Sequence, residues 1–354
     1  MLSSAAIKQH AAELGFDLCG ISAAHSFPEL GFLQTWIARG YAGEMDYMEK
    51  SAHVRSDIRN FLPSARSVIV TGTIYNTDRR GWDRAPGTDK IRIARYARGQ
   101  DYHTVIEDRL RAFVDWMRGQ TTDSFDTAHF VDKHQVQERV YAQHAGLGWI
   151  GKNSCVINAE RGSWMFLAGI ATSLSLEPDG PAIDQCGACT QCIDACPTGA
   201  LVDARELDAT KCISYLTIET AKEIPEAQRP LLGQHAWGCD ICQDVCPWNL
   251  ASAITADAAW RGPIRDGLSA AKLWQHTDDE LHERIKGSAM TFVPLSRFRR
   301  NLAVVIGNSG DHELADVLDR PGHGVRNAAK SALTPAVQNA VEWAKRQLSQ
   351  EEQP

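Results

Sequence analysis

The chain has 354 residues, 44% hydrophobic and 23% charged, the make-up of an ordinary globular protein with room for two or three domains. A formal net charge of −7 excludes nucleic-acid binding through bulk positive charge and leaves only local basic patches for that purpose. No apolar run reaches the roughly 18 residues of a membrane span, and Met1–Leu14 lacks the basic start and apolar centre of a secretion signal, so a cytoplasmic protein without membrane attachment is expected.

Residues 1–175 alternate helical and extended patterns. Ser3 or Ser4 caps a helix that carries Ile7, Ala11 and Leu14 on one face, and Gly15 ends it. Phe16–Ile21 reads as a short strand, and Phe32, Leu33, Trp36 and Ile37 form a helical face. Ser67–Tyr75 is apolar and β-branched, as in a buried strand. Val105, Ile106, Leu110, Phe113, Val114 and Met117 define an amphipathic helix. A strand at Ala128–Val131, a helix from Gln135 to Ala145 and a strand at Ser163–Thr172 follow. This alternation predicts an α/β domain.

Residues 176–255 hold eight of the ten cysteines and six prolines, which predicts short helices and loops organised by metal. Residues 256–354 read as helical. Within them Arg300-Asn301-Leu302-Ala303 and Arg326-Asn327-Ala328-Ala329 are alike. They hint at stacked helical repeats, although their offset is short for a HEAT-type unit of about 40 residues.

The cysteine spacing is the most specific signal. Cys186-x2-Cys189-x2-Cys192-x3-Cys196-Pro197 is the bacterial ferredoxin run, in which three thiolates hold one 4Fe–4S cluster and the fourth ligates a second. Cys239-x2-Cys242-x3-Cys246-Pro247 lacks the first cysteine of such a run, and Cys212 can supply it. The crossover rule then gives Cys186, Cys189, Cys192 and Cys246 to one cluster, and Cys196, Cys212, Cys239 and Cys242 to the other. Two zinc sites would also use eight thiolates, but structural zinc pairs simple Cys-x2–4-Cys knuckles. Cys19 and Cys155 have no partner at ligand spacing and read as structural thiols.

Several stretches match one family in order: Ile93-Ala94-Arg95-Tyr96-Ala97-Arg98-Gly99-Gln100-Asp101-Tyr102-His103; Glu138-Arg139 through Ala145–Asn153; the first cysteine run; Cys212–Glu219; Gly238–Asn249; and Arg300-Asn301 through Gly307-Asn308. In these the chain resembles the epoxyqueuosine reductases, cobalamin-dependent enzymes of the last step of queuosine biosynthesis. The resemblance implies an α/β cobalamin-binding domain at 1–175, a ferredoxin-like domain with two 4Fe–4S clusters at 176–255, and HEAT-like helices at 256–354 that hold tRNA. The implied reaction removes the epoxide oxygen of epoxyqueuosine at the tRNA wobble position as water. It uses electrons from an external donor, and the enzyme is expected to be a monomer.

Asp132 matches the family's proton donor. The family usually continues with a small residue and a proline, whereas Lys133-His134-Gln135 follow here and put the acid's protonation state in question. By the same resemblance Lys152, Asn153, Ser154, Val156, Arg55, Tyr96, Arg98, Ser214 and Asp240 are expected to contact cobalamin. Gly146, Gly148 and Gly151 would let backbone approach that ligand, although such glycines also make plain turns. His103 is expected to cap or pack rather than bind cobalt. Arg297, Arg299 and Arg300 form a basic cluster expected to meet tRNA phosphates. The alternatives are a corrinoid reductive dehalogenase-like reductase of a small molecule and a non-catalytic electron-transfer protein.

Overall fold

The computed structural model describes residues 2–78, 88–262, 267–322 and 333–349. Ser3 caps helix α1 (Ser4–Glu13), its side chain accepting from the Ala6 amide. Gly15 follows at φ +85°, a left-handed conformation open to glycine at little cost. Strand β1 (Leu18–Ala23) starts two residues later than the sequence suggests. The Phe16 amide still bonds back to the Ala11 carbonyl, and its ring is buried under α1, so pairing begins only beyond it.

Helix α2 (Phe32–Ala38) and the short helices α3 (Asp46–Lys50), α4 (Ala52–Arg55) and α5 (Ile58–Phe61) lead to strand β2 (Ser67–Ile74). Strand β3 (Arg92–Ile93), helix α6 (Tyr102–Gly119), strand β4 (Thr127–Val131), helix α7 (Glu138–His144), and strands β5 (Trp149–Ile150), β6 (Val156–Ile157) and β7 (Met165–Thr172) come next. The main sheet runs β1-β2-β7-β4, and each neighbouring pair is antiparallel. The domain is mixed α/β as expected, but the main sheet is wholly antiparallel, with β7 inserted between β2 and β4, rather than a stack of parallel crossovers.

Every residue of β2 is buried, because both faces of the sheet are covered. Ile69 packs with Ile106, Leu110 and Phe113 of α6 and with Ile7 and Ala11 of α1. Val68 and Val70 point the other way, toward Val140, Tyr141 and Ala142 of α7. Alternate strand residues thus serve two helical layers, which explains why the run is continuously apolar. At Gly20 an added Cβ would lie 2.0 Å from the Ala145 carbonyl oxygen, so only glycine lets β1 approach the end of α7 this closely.

In the cysteine-rich part, α8 (Gln191–Asp194), β8 (Leu201–Asp203), β9 (Glu206–Leu207), α9 (Ile213–Ile218), β10 (His235–Trp237) and α10 (Ile241–Asp244) are short. β10 pairs in parallel with β3, which stitches this part to the N-terminal half. Helices α11 (Ala270–Gln275), α12 (Asp278–Ile285), α13 (Leu295–Gly307) and α14 (Pro335–Ser349) complete the described chain. One core joins Ile93, Leu216, Trp237, Trp274, Leu302, Val305 and Trp343, so α9 and β10 pack with the C-terminal helices. From Phe298 to Gly307 every residue of α13 is buried. The second half of the sequence repeat, residues 326–329, lies outside the described residues. No described helix is long and apolar enough to cross a membrane.

Candidate active site

Asp132 directly follows β4 and has φ +34°, an unusual conformation for a residue with a side chain. Such strain persists where surrounding structure holds it, and it often marks functional positions. The carboxylate has two firm partners. Tyr102 donates its hydroxyl to Oδ2, and His103 Nε2 lies 3.4 Å from the same oxygen. Both come from the first turn of α6. Asp101, the N-cap of that helix, accepts from the His103 amide at 3.0 Å and meets His103 Nδ1 at 2.8 Å. The imidazole therefore lies between two carboxylates.

This arrangement sets the protonation states. Burial disfavours a charged His103, but its bonds to Asp101 and Asp132 outweigh that and raise its pKa to about 9. Burial works to raise the Asp132 carboxyl, yet His103 and Tyr102 together hold it below the usual carboxylate range. The Asp132 side chain is 59% exposed. The sequence pointed to Lys133 and His134 as the perturbing neighbours. The structure corrects this: Lys133 Nζ pairs with Glu107 at 2.7 Å, and His134 Nδ1 sits against the backbone of Val131. His103 packs as expected, buried between the Tyr102 and Phe292 rings, and it is also the charge partner of Asp132. Sequence reasoning also gave no role to Glu138, at the start of α7. Burial, and then the charge of Asp132, push its carboxyl up to about 7.

The expected cofactor residues divide into two groups. Tyr96 sits edge-on to Tyr102, with ring centroids 6.1 Å apart. The charge of Asp132 adds to burial in raising the Tyr96 hydroxyl. Arg55 donates to Ser51 Oγ and to the Val136 carbonyl, and its charge reaches Glu138. Ser154, at φ +65°, has a buried Oγ with no hydrogen-bond partner among the described residues, while its carbonyl accepts from Arg139. Tyr96 feels the charge of Asp132 directly, Arg55 shares Glu138 with it, and Ser154 is joined to it through Arg139.

The others face protein. Lys152 Nζ donates to the Gly187 carbonyl in the first cysteine run at 2.8 Å, and Asn153 Nδ2 donates to the Cys242 carbonyl at 3.2 Å. The Val156 side chain is buried in the core beside α7. Asp240 accepts from the Arg95 amide, and Arg98 donates to the Ile93 carbonyl. Ser214 is half-buried, and its amide bonds the Cys212 sulfur. The space at Gly148 and Gly151 is filled by Ile157, so those glycines serve internal packing, which corrects the expectation of a ligand cradle.

The neighbours of each thiol are compatible with the crossover assignment. Cys246 feels the charges of Cys186 and Cys192, and Cys192 those of Cys186 and Cys189. Cys239 is within reach of Cys212 and Cys196, and Cys242 of Cys239 and Cys212. Eight thiols within one short segment are a donor set of the right chemistry and number for two iron–sulfur clusters. Trp149 Nε1 donates to Cys186 Sγ at 3.4 Å. Cys155 is not without a partner, because its thiol hydrogen-bonds Cys242. Cys19 is half-buried against the core, and desolvation pushes its thiol up to about 12.

The basic cluster is a second correction. Arg299 bonds Asp278 and the carbonyls of Trp274, His276 and Gly322. Arg300 is 1% exposed and donates to the carbonyls of Thr220, Lys222 and Leu216. These guanidiniums tie α13 to its neighbours and do not face solvent. Arg297 is half-buried and donates to the Ile218 carbonyl.

Comparison with known proteins bears on the same residues. Residues 55–133, ending one residue past Asp132, match the family described as "Epoxyqueuosine reductase QueG, DUF1730". Residues 185–249 match the "4Fe-4S double cluster binding domain". The chain is 42% identical over 320 residues to an epoxyqueuosine reductase of Gloeobacter violaceus, covering 87% of this chain and 97% of the relative. It is 37% identical over 344 residues to that of Pseudomonas aeruginosa, covering 96% and 93%. A crystal structure of epoxyqueuosine reductase with an epoxyqueuosine-modified tRNA-Tyr stem loop superposes with a TM-score of 0.84 at 27% identity, covering 97% of this chain and 89% of the other. The Bacillus subtilis enzyme, solved with its catalytic aspartate loop swung out of the active site, gives 0.83 at 26% identity, covering 97% and 90%. The paired thiol groups, the aspartate cleft and relatives matched over nearly their whole length agree, and this chain belongs to the epoxyqueuosine reductase family.

Proposed function

We propose that the chain reduces epoxyqueuosine to queuosine at the wobble position of tRNA, with cobalamin bound over the Asp132 cleft and an external donor feeding two 4Fe–4S clusters. The observation that carries the reading is the Asp101–His103–Asp132 chain with Tyr102, a charged proton store opening into a cleft beside the cluster segment. The substrate assignment rests on the family and on the relative solved with the modified stem loop. Arg55, Tyr96 and Ser154 are the residues that would hold cobalamin. The unpartnered Ser154 hydroxyl supports that fit, since a buried polar group without a partner costs about 1–3 kcal/mol. The C-terminal helices are read as a HEAT-like support for the RNA.

Converting an epoxide to an alkene and water takes two electrons and two protons. Cobalamin, when bound, supplies the reducing power at the substrate carbon, fed by the clusters. The chain's own residues supply the protons. Asp132 presents an oxygen to the cleft, held in place by Tyr102. The His103 imidazolium holds a proton at neutral pH and passes it through Asp132 to the departing oxygen. We assign the other to Glu138, whose carboxyl burial and the charge of Asp132 push up to about 7. RNA and corrin, when bound, would keep bulk water from doing the same task.

Asp132→Asn keeps size and polarity but cannot relay a proton. Turnover on modified tRNA should fall about a hundred- to ten-thousand-fold, with cluster content, cobalamin binding and RNA binding kept. Near-normal turnover would reject the role. Loss of cobalamin binding would make Asp132 a cofactor-site residue instead.

A further inference from the structure

A stack of rings leads from the core to the mouth of the cleft. Phe166 is buried in β7. Tyr102 stacks on it, with centroids 4.4 Å apart and planes 8° from parallel. His103 stacks on Tyr102 at 4.0 Å and 28°. Phe292 lies over His103 at 4.9 Å and 31°. The first ring is 7% exposed and the last 61%. The middle two rings are those that grip Asp132, so the exposed end of the stack is continuous with the candidate active site.

The position of Phe292 is fixed by backbone. Asp101 donates its amide to the Gly287 carbonyl at 2.7 Å. Ser288 caps the turn Ala289–Phe292, and Ala289 and Met290 are buried beneath it. A large apolar ring is thus held in solvent by an anchored turn. A single exposed ring is common on protein surfaces; this one is set apart because its inner face rests on His103, which grips Asp132.

We propose that Phe292 is the stacking platform for a nucleobase of the anticodon loop, which adds one more planar ring to the series Phe166, Tyr102, His103, Phe292. This rests on the RNA reading of the site. A base has a π-face of the right shape, and stacking on an aromatic side chain suits an unpaired loop nucleotide. The stacked base would set the reach of the modified nucleoside toward Asp132. It would also cover the outer face of Phe292, whose inner face rests on His103.

The test uses anaerobically prepared full-length enzyme and anticodon stem loops carrying 2-aminopurine at one loop position at a time. Stacking quenches this base. One position should be quenched on binding to the wild type, and the position identifies whether the substrate's own base or a flanking base is held. Phe292→Leu should lose that quenching and bind about 5- to 140-fold more weakly, the worth of one stacked base. Phe292→Tyr should keep both. Iron content, expected to be unchanged in each variant, reports that the fold is intact. Retained quenching in Phe292→Leu, or affinity within about twofold of wild type, would overturn the proposal while leaving the proposed function standing. Failure of the wild type to bind any stem loop would overturn the RNA reading itself, and this inference with it.

Discussion

The pH response of the site follows from where His103 sits. Its folded pKa of about 9 lies above the ordinary histidine value of about 6.5. The stability it contributes is complete below that ordinary value and is lost as pH rises through about 9. The Asp132 pKa is lowered, so its contribution is present above the ordinary carboxylate range and is lost as pH falls through the lowered value. The pair is therefore intact at neutral pH, and turnover should decline above pH 9 as the imidazolium deprotonates. Asp101→Asn keeps the helix cap but removes a carboxylate behind His103. It should move that alkaline limb to lower pH, read from single-turnover rates across pH 6–10. A limb that stays in place would remove His103 from the proton path. Asp132 itself was legible in the sequence because its position matches a family motif. Its partners were not, because Tyr102 and His103 reach it across about 30 residues, and no periodicity shows that the end of β4 lies beside the first turn of α6. The motif containing Tyr102-His103 was visible, yet its meaning needed three dimensions.

Elements were read best where burial follows a simple period. β2 is apolar throughout because it faces two helical layers, and α6 shows the stripe that faces one. The α13 segment misled for a physical reason. Its arginines were counted as surface charge, but the helix is central and has no solvent face over Phe298–Gly307. There a guanidinium serves as a bundle of donors for carbonyls that would otherwise be unpaired. Burial draws the Arg300 pKa down to about 10, which still leaves it charged at neutral pH. Arg300→Met should strand the carbonyls of Leu216, Thr220 and Lys222 and destabilise the fold by about 3 kcal/mol or more. The midpoint of denaturant unfolding would show this. Salt dependence of RNA binding by the folded fraction should not change, since Arg300 meets no solvent. A reduced salt slope would return it to the RNA interface.

At the scale of the whole molecule, the cysteine pattern was the clearest signal in the sequence, and residues 185–249 match a double-cluster binding domain. Anaerobically prepared enzyme should carry about eight irons per chain, and Cys246→Ala should damage the cluster of the first run. Loss of the other cluster alone would refute the crossover assignment. What spacing could not convey is how tightly the halves are tied. Arg95 donates from its amide to Asp240 and from Nη2 to Asp244, both at 2.8 Å, and from Nη1 to Asn76 at 2.7 Å. Its guanidinium also lies over the Trp164 ring.

That single arginine makes the enzyme's lifetime in air a matter for the acid site as well as the clusters. Cluster ligation is folding energy for the loops that carry the cysteines. When oxygen strips the iron, Asp240 and Asp244 lose their framework, and Arg95 loses its grip. The chain runs only seven residues from Arg95 to Tyr102, so slackening there reaches the first turn of α6. Amide hydrogen exchange at Tyr102 and His103 should therefore quicken in iron-depleted protein, while amides at the centre of β2 keep their protection. Aged enzyme would then not recover merely on being offered a fresh reductant. It would need its clusters rebuilt before it could again hold a proton in the right place.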